Sequence, residues 1–201
     1  MMANFTTQVI KDSFLRLLYH YPLNEITVRM IVEECGINRN SFYYHFQDIP
    51  SLLDEIFRDK IDALMKKYTD IQIFEECFTA AITDILGDKK LVRHIYYGSP
   101  SKEAFERFLL NACDYLVRSY MDIVSAGLNI SDSDRNIIVR LYRGECFGFV
   151  SEWLLGGMKD DVLLSFHRVC ELHSGMMEKV LNRAHNDEPN SDHIVSAGVP
   201  V

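Results

Sequence analysis

The chain has 201 residues, nearly half of them apolar, enough to bury the core of one domain or two small ones. It contains no long uncharged apolar run, which excludes a transmembrane helix. Its start, MMANFTTQVIKDS, lacks the basic stretch and apolar segment of a signal peptide, so the expectation is a cytoplasmic protein with no membrane association. A net charge of -8 argues against indiscriminate coating of nucleic acid. The five cysteines, Cys35, Cys77, Cys113, Cys146 and Cys170, are odd in number and widely spaced, unlike a disulfide framework.

Residues 5–21 read as an amphipathic helix with Ile10, Phe14, Leu17 and Leu18 as its inward stripe. Pro22 ends it, and Asn24-Glu25 make the turn. The stretch 27–46, TVRMIVEECGINRNSFYYHF, reads as two short helices around a tight turn. Thr27 is placed to cap the first, whose apolar face is Val28, Ile31 and Val32. Gly36 supplies its stop, because glycine takes the left-handed backbone conformation cheaply. Asn38 is a good N-cap for the second helix, in which Phe42 and Phe46 lie four apart on one face. Arg39, Asn40, Ser41, Tyr43 and His45 are left to point elsewhere. This is a helix-turn-helix pattern, in which one helix braces and the second offers hydrogen-bonding side chains to the DNA major groove.

Asp48 is placed to cap a longer helix over 49–68, with Leu52, Leu53, Ile56, Ile61 and Leu64 as its apolar positions. Further helices are predicted near 71–86, 88–97, 101–126, 132–157 and 160–184, separated by glycine- and proline-bearing turns. No strand alternation stands out. The polar segment 185–201 is expected to be disordered. The predicted fold class is therefore all-α, with a helix-turn-helix domain over 1–48, a larger regulatory and dimerisation domain over 49–184, and a tail.

The segment INRNSFYYHFQDIPSLL resembles the recognition-helix signature of the TetR family of bacterial transcription regulators. The Tyr43-Tyr44 pair inside F-Y-Y-H-F, followed at once by a new helix start, is the most specific part. The later run GECFGFVSEWLLGGM resembles the C-terminal region of a subset that includes regulators of dihydroxyacetone kinase operons. The resemblance implies double-stranded operator DNA as a partner, a homodimer, a small-molecule effector, no enzymatic activity and no cofactor. It sharpens the roles that the chemistry suggests. Arg39 and Asn40 are placed to read base edges, since Arg bonds bidentately to guanine and Asn to adenine. Thr27, Arg29, Ser41, Tyr43 and His45 are expected at phosphates, with Asn38 and Tyr44 completing the DNA-binding set. The pattern departs from many relatives at Ile49, where a Lys commonly meets the DNA backbone.

Charge is distributed in favour of this reading. Residues 1–60 hold six Lys/Arg and eight Asp/Glu, yet between Cys35 and Gln47 there are Arg39 and His45 and no acid. A contact face that is neutral to positive can meet DNA despite an acidic body, at the cost of weak non-specific affinity.

In the second half, Gly144 and Gly148 sit four apart, where small residues admit a neighbouring helix. With Phe166, Val169, Cys170 and Met177 they are the expected dimer interface, built as a four-helix arrangement of two copies. Tyr97, Phe108, Tyr115, Arg118, Tyr142, Arg143 and Phe147 are the expected effector site. His167, Cys170 and His173 have a metal-like spacing. Steps of three turn the outer two about 120° apart, so the reading is interface-filling residues and no metal site. The alternative function is a helical interaction protein with the same fold, acting as a co-activator through a protein partner.

Overall fold

The structure, a computed structural model, describes residues 2–67, 83, 87–159 and 161–186. Among these residues there are nine α-helices and no strand. They are α1 (Met2–His20), α2 (Val28–Cys35), α3 (Arg39–His45), α4 (Ile49–Met65), α5 (Lys89–Gly98), α6 (Lys102–Val124), α7 (Asp132–Leu155), α8 (Val162–His173) and α9 (Met176–Asn186). A short 3-10 turn at Leu23–Glu25 follows α1. The helix expected over 71–86 and most of the tail lie outside the described residues, apart from Thr83 and the tail's first two positions.

The N-terminal helices form where local chemistry starts and stops them. Thr27 accepts a hydrogen bond from the Met30 N–H at the start of α2. Gly36 ends α2 with φ +69°, and the Ile37 N–H returns to the Val32 carbonyl at 3.0 Å. A Cβ at Gly36 would meet no atom, so the demand for glycine there is conformational rather than steric. Asn38 accepts from the Ser41 N–H at 2.8 Å and opens α3. Asp48 and Ser51 bond each other's backbone N–H in a reciprocal capping box at the head of α4.

Ile10, Phe14 and Leu18 of α1, Ile31 and Val32 of α2, Phe42 and Phe46 around α3, and Leu52, Leu53 and Ile56 of α4 fill one buried cluster. Each large side chain contributes about 1.5–3 kcal/mol by leaving water. Leu17, expected in the same stripe, is only half-buried. The cation of Lys11 is enclosed here, with Nζ 2.7 Å from Glu55 and 2.6 Å from Asp59, tying α1 to α4.

The second half of α4 packs on α6. Phe57 meets Phe108 edge-on at 4.9 Å, and the Tyr115 hydroxyl donates to Asp62 at 2.7 Å. Helix α6 in turn packs along α7. Helix α5 bridges the two halves. Lys89 Nζ donates to the Met158 carbonyl after α7, His94 bonds the Leu18 carbonyl, and Gly98 sits against Leu23. A Cβ at Gly98 would lie 2.3 Å from the Leu23 nitrogen, so this crossing requires glycine.

One expected helix divides. The segment predicted as continuous over 160–184 is broken between α8 and α9 at Gly175, which has φ +72°. The apolar pattern runs through the break, which is why periodicity alone joined the two pieces.

Candidate nucleic-acid interface

Phe42 and Phe46 are buried with ring centroids 5.8 Å apart, and they fix which side of α3 faces inward. Arg39, Asn40, Tyr43 and Tyr44 of the same helix are all exposed, with Tyr44 at 81%. Among the described residues none of these four side chains makes a hydrogen bond, so their polar groups are available to a ligand. The two tyrosine rings are still held in place, Tyr43 edge-on to Phe42 at 5.5 Å and Tyr44 edge-on to His45 at 5.0 Å.

The remaining expected DNA contacts already have work within the chain. Thr27 Oγ1 and Asn38 Oδ1 act as caps, and Ser41 Oγ donates to Asn38 at 3.2 Å. Thr27 keeps its hydroxyl hydrogen and Asn38 its amide hydrogens for another acceptor. Arg29 is paired with Glu33 one turn on, at 2.7 Å, on the exposed face of α2. A phosphate would have to displace that carboxylate. His45 Nδ1 lies 3.1 Å from the Thr7 hydroxyl, a partner that sequence reasoning missed because it is 38 residues away on α1. Ile49 is half-buried against the core rather than offered to solvent.

The expected interface residues separate into two groups. Gly144 and Gly148 are exposed, and a Cβ at either would meet open space. Ile137, Leu141 and Leu155 are exposed on the same side of α7, at helical spacing with the glycines. Phe166, Cys170 and Met177 correct the expectation, because they are buried inside the protomer. Val169 is half-buried and lines a cleft with Tyr142, Glu145, Cys146, Phe149, Phe166, Cys170 and His173. Among the described residues Leu164, Leu172 and Met176 are the large exposed apolar side chains of this region.

The expected effector residues do not converge. Phe108 and Tyr115 line a groove between α4 and α6, and Arg58 lies 5.0 Å over the Tyr115 ring. Tyr142 faces the α7–α8 cleft, which has about 30 Å³ of free space, room for a water rather than an organic ligand. Arg118 and Arg143 both bond the Asp114 carboxylate, at 2.6 Å and 3.1 Å. The Arg143 Nε is buried without a hydrogen-bond partner among the described residues. Tyr97 is exposed on the last turn of α5, and Phe147 is half-buried against the core. His167 is exposed, and His173 lies 3.0 Å from Glu145. Among the described residues no group of three or more His, Cys, Asp or Glu side chains is placed to hold a metal ion, and no helix is long and apolar enough to cross a membrane.

A short bracing helix, a three-residue turn at Gly36–Asn38 and an outward-facing α3 define a helix-turn-helix protein with a larger helical C-terminal part. The family model described as bacterial regulatory proteins, tetR family, matches residues 12–56, and one described as transcriptional regulator C-terminal region matches 76–175. The chain belongs to the TetR family of transcription regulators. The fold is similar to that of a solved structure described as dihydroxyacetone kinase operon activator DhaS, with a TM-score of 0.53 at 18% identity, covering 89% of this chain and 96% of that one. No curated protein matches in sequence.

Proposed function

We propose that this protein is a homodimeric, cytoplasmic TetR-type repressor that binds a palindromic operator through α3 and leaves it when a small molecule binds the C-terminal domain. The observation that carries this reading is the outer face of α3. Four exposed side chains, without hydrogen-bond partners among the described residues, stand on a helix anchored to the core by Phe42 and Phe46. Arg39 and Asn40 are in the first turn, where a recognition helix meets base edges. Arg39 takes a guanine and Asn40 an adenine, while Tyr43 and Tyr44 reach the backbone.

The apolar stripe of Ile137, Leu141, Gly144, Gly148 and Leu155 supports the dimer. It is too apolar and continuous for a solvated helix face, and its glycines admit a close partner helix. Two copies paired there would carry two α3 helices, as a palindrome requires. The effector would enter the C-terminal domain, where Trp153 is buried and reports on repacking. Footprinting on the DNA upstream of the gene tests the proposal. Two protected half-sites spaced ~34–36 Å, or a whole number of turns more, are expected. A single half-site or no protection would sink it.

A second reading has the same fold acting as an activator through a protein partner. The fold neighbour's name, an operon activator, supports it. So do Arg29, held by Glu33, and Ile49, which offers no cation to a phosphate. Reporter expression from the neighbouring promoter, with and without the gene, separates repression from activation.

A further inference from the structure

Lys90, Arg93 and Tyr97 fall at i, i+3 and i+7 along α5, on one face of the helix, and all three are exposed. The end of α1 lies beside them. Lys90 Nζ stands 4.3 Å over the Tyr19 ring, and Gly98, next to Tyr97, sits against Leu23. Tyr19, Tyr21 and Tyr97 are 46%, 42% and 63% exposed. Tyr97 rests on Tyr96 at 4.8 Å, and Tyr96 packs edge-on against the buried Phe105 at 4.9 Å, so this aromatic surface is backed by the core. Elsewhere on the chain Arg16, Arg29 and Arg168 each hold a carboxylate. Among the described residues Lys90 and Arg93 hold none. The acids nearest in the chain are Asp88, whose carboxylate caps the head of α5, and Glu25 in the turn after α1.

We infer that this patch is the docking surface for an acidic segment of a partner protein, whose carboxylates meet Lys90 and Arg93 and whose apolar side chains lie on Tyr19 and Tyr97. The inference rests on the second reading above, activation through a protein partner, and gives that partner a place and a chemistry. Charge complementarity selects the occupant. Two cations without a counter-charge, on a chain whose net charge is -8, favour a negative surface at this one place. Exposed tyrosine beside arginine is the composition of a protein interface, where these two residue types carry much of the binding. The DNA duplex, also an anion, is met at the other end of α1. Thr7 of α1 lies 3.1 Å from His45 of α3, and Tyr19 is twelve residues further along, about 18 Å. A partner seated on the patch leaves α3 free for the duplex.

The test uses the full chain and two labelled peptides, one of repeated Glu-Glu-Leu-Leu and one of repeated Lys-Lys-Leu-Leu. Fluorescence anisotropy should show saturable binding of the acidic peptide and none of the basic one. Amide shifts of the ¹⁵N-labelled wild type should move at residues 19–21 and 90–97 when the acidic peptide is added, a measurement that needs no variant to fold. Affinity for that peptide should fall on the order of tenfold in Arg93→Glu and largely return in Arg93→Lys. In cells Arg93→Glu should lose promoter activation while its affinity for a mixed-sequence duplex stays that of the wild type. No saturable binding, equal binding of both peptides, or shifts confined to other helices overturns the inference. So does an Arg93→Glu protein, folded by circular dichroism, that binds duplex more weakly, because the patch is then a nucleic-acid contact. A gene that represses its promoter fails the second reading itself, whereas a wild type that activates but leaves the acidic peptide unbound fails this surface alone.

Discussion

His94 Nδ1 lies 2.7 Å from the backbone carbonyl oxygen of Leu18. That carbonyl is in the last turn of α1, and its ordinary helical partner four residues on is Pro22, which has no N–H. A carbonyl only accepts, so Nδ1 of His94 carries the hydrogen. One side chain of the C-terminal half thus supplies the donor that proline removes from the N-terminal half. The same helix reaches Met158 through Lys89, so α5 connects the end of α7 to the end of α1.

Removing the imidazole leaves the Leu18 carbonyl without this donor. His94→Ala should cost about 1–3 kcal/mol, read as a melting temperature lower by several degrees for a chain of this size. Amide exchange should quicken first in the last turn of α1 and in α5. Unchanged melting together with unchanged exchange in α1 would show that the bond holds nothing.

The exposed stripe on α7 makes a second prediction. Because a Cβ at Gly148 meets nothing in the protomer, Gly148→Glu should leave the protomer folded and abolish self-association. Sedimentation should give a mass near twice 23.3 kDa for the wild type and near that value for the variant. A wild type that is monomeric at micromolar concentration contradicts the dimer, and an unaltered variant dimer moves the interface off this helix.

The third prediction concerns alkaline pH. Burial pushes the Cys113 thiol from 9.0 up to about 12. For a group raised above its unfolded value, the stability it contributes is full below the unfolded pKa and lost as pH climbs through the folded one. Lys11 acts in the same direction. Burial alone would push its ammonium down, but hydrogen bonds and charge from Asp59 and Glu55 outweigh it and hold the pKa above 10.5. The melting temperature should therefore decline between pH 9 and about 12, and Cys113→Ala should decline less over that window. In the native protein at neutral pH Cys113 should resist alkylation until unfolding exposes it. Fast alkylation of Cys113 in the folded state, or identical alkaline profiles, would contradict the burial argument.

The helix-turn-helix was legible because its signals are local. Thr27, Gly36, Asn38 and Asp48 each do within a few residues what their chemistry predicts. Which residues of the C-terminal helices face outward was only half legible. Gly144 and Gly148 are exposed, but α8 and α9 are apolar over so wide an arc that no period separates Phe166, Cys170 and Met177, which face inward, from Leu164, Leu172 and Met176, which face out. The effector set was the least legible. Arg118 has its acid one turn back on the same helix, but Arg143 finds Asp114 across 29 residues, and no spacing rule foretells that one carboxylate takes both. The contacts of His45 with Thr7 and of His94 with Leu18 were missed for the same reason, since each joins residues far apart along the chain.

The central claim is that α3 reads DNA with Arg39 while Tyr43 holds the backbone. The most direct measurement compares wild type, Arg39→Ala and Tyr43→Phe on the duplex upstream of the gene and on single-base variants of each half-site. The account predicts that the wild type binds and that Arg39→Ala loses ~1–3 kcal/mol with relaxed preference at one base pair per half-site. Tyr43→Phe should weaken every sequence alike. A wild type that shifts none of these duplexes at low salt, or an Arg39→Ala protein with the wild-type affinity and sequence profile, would contradict it.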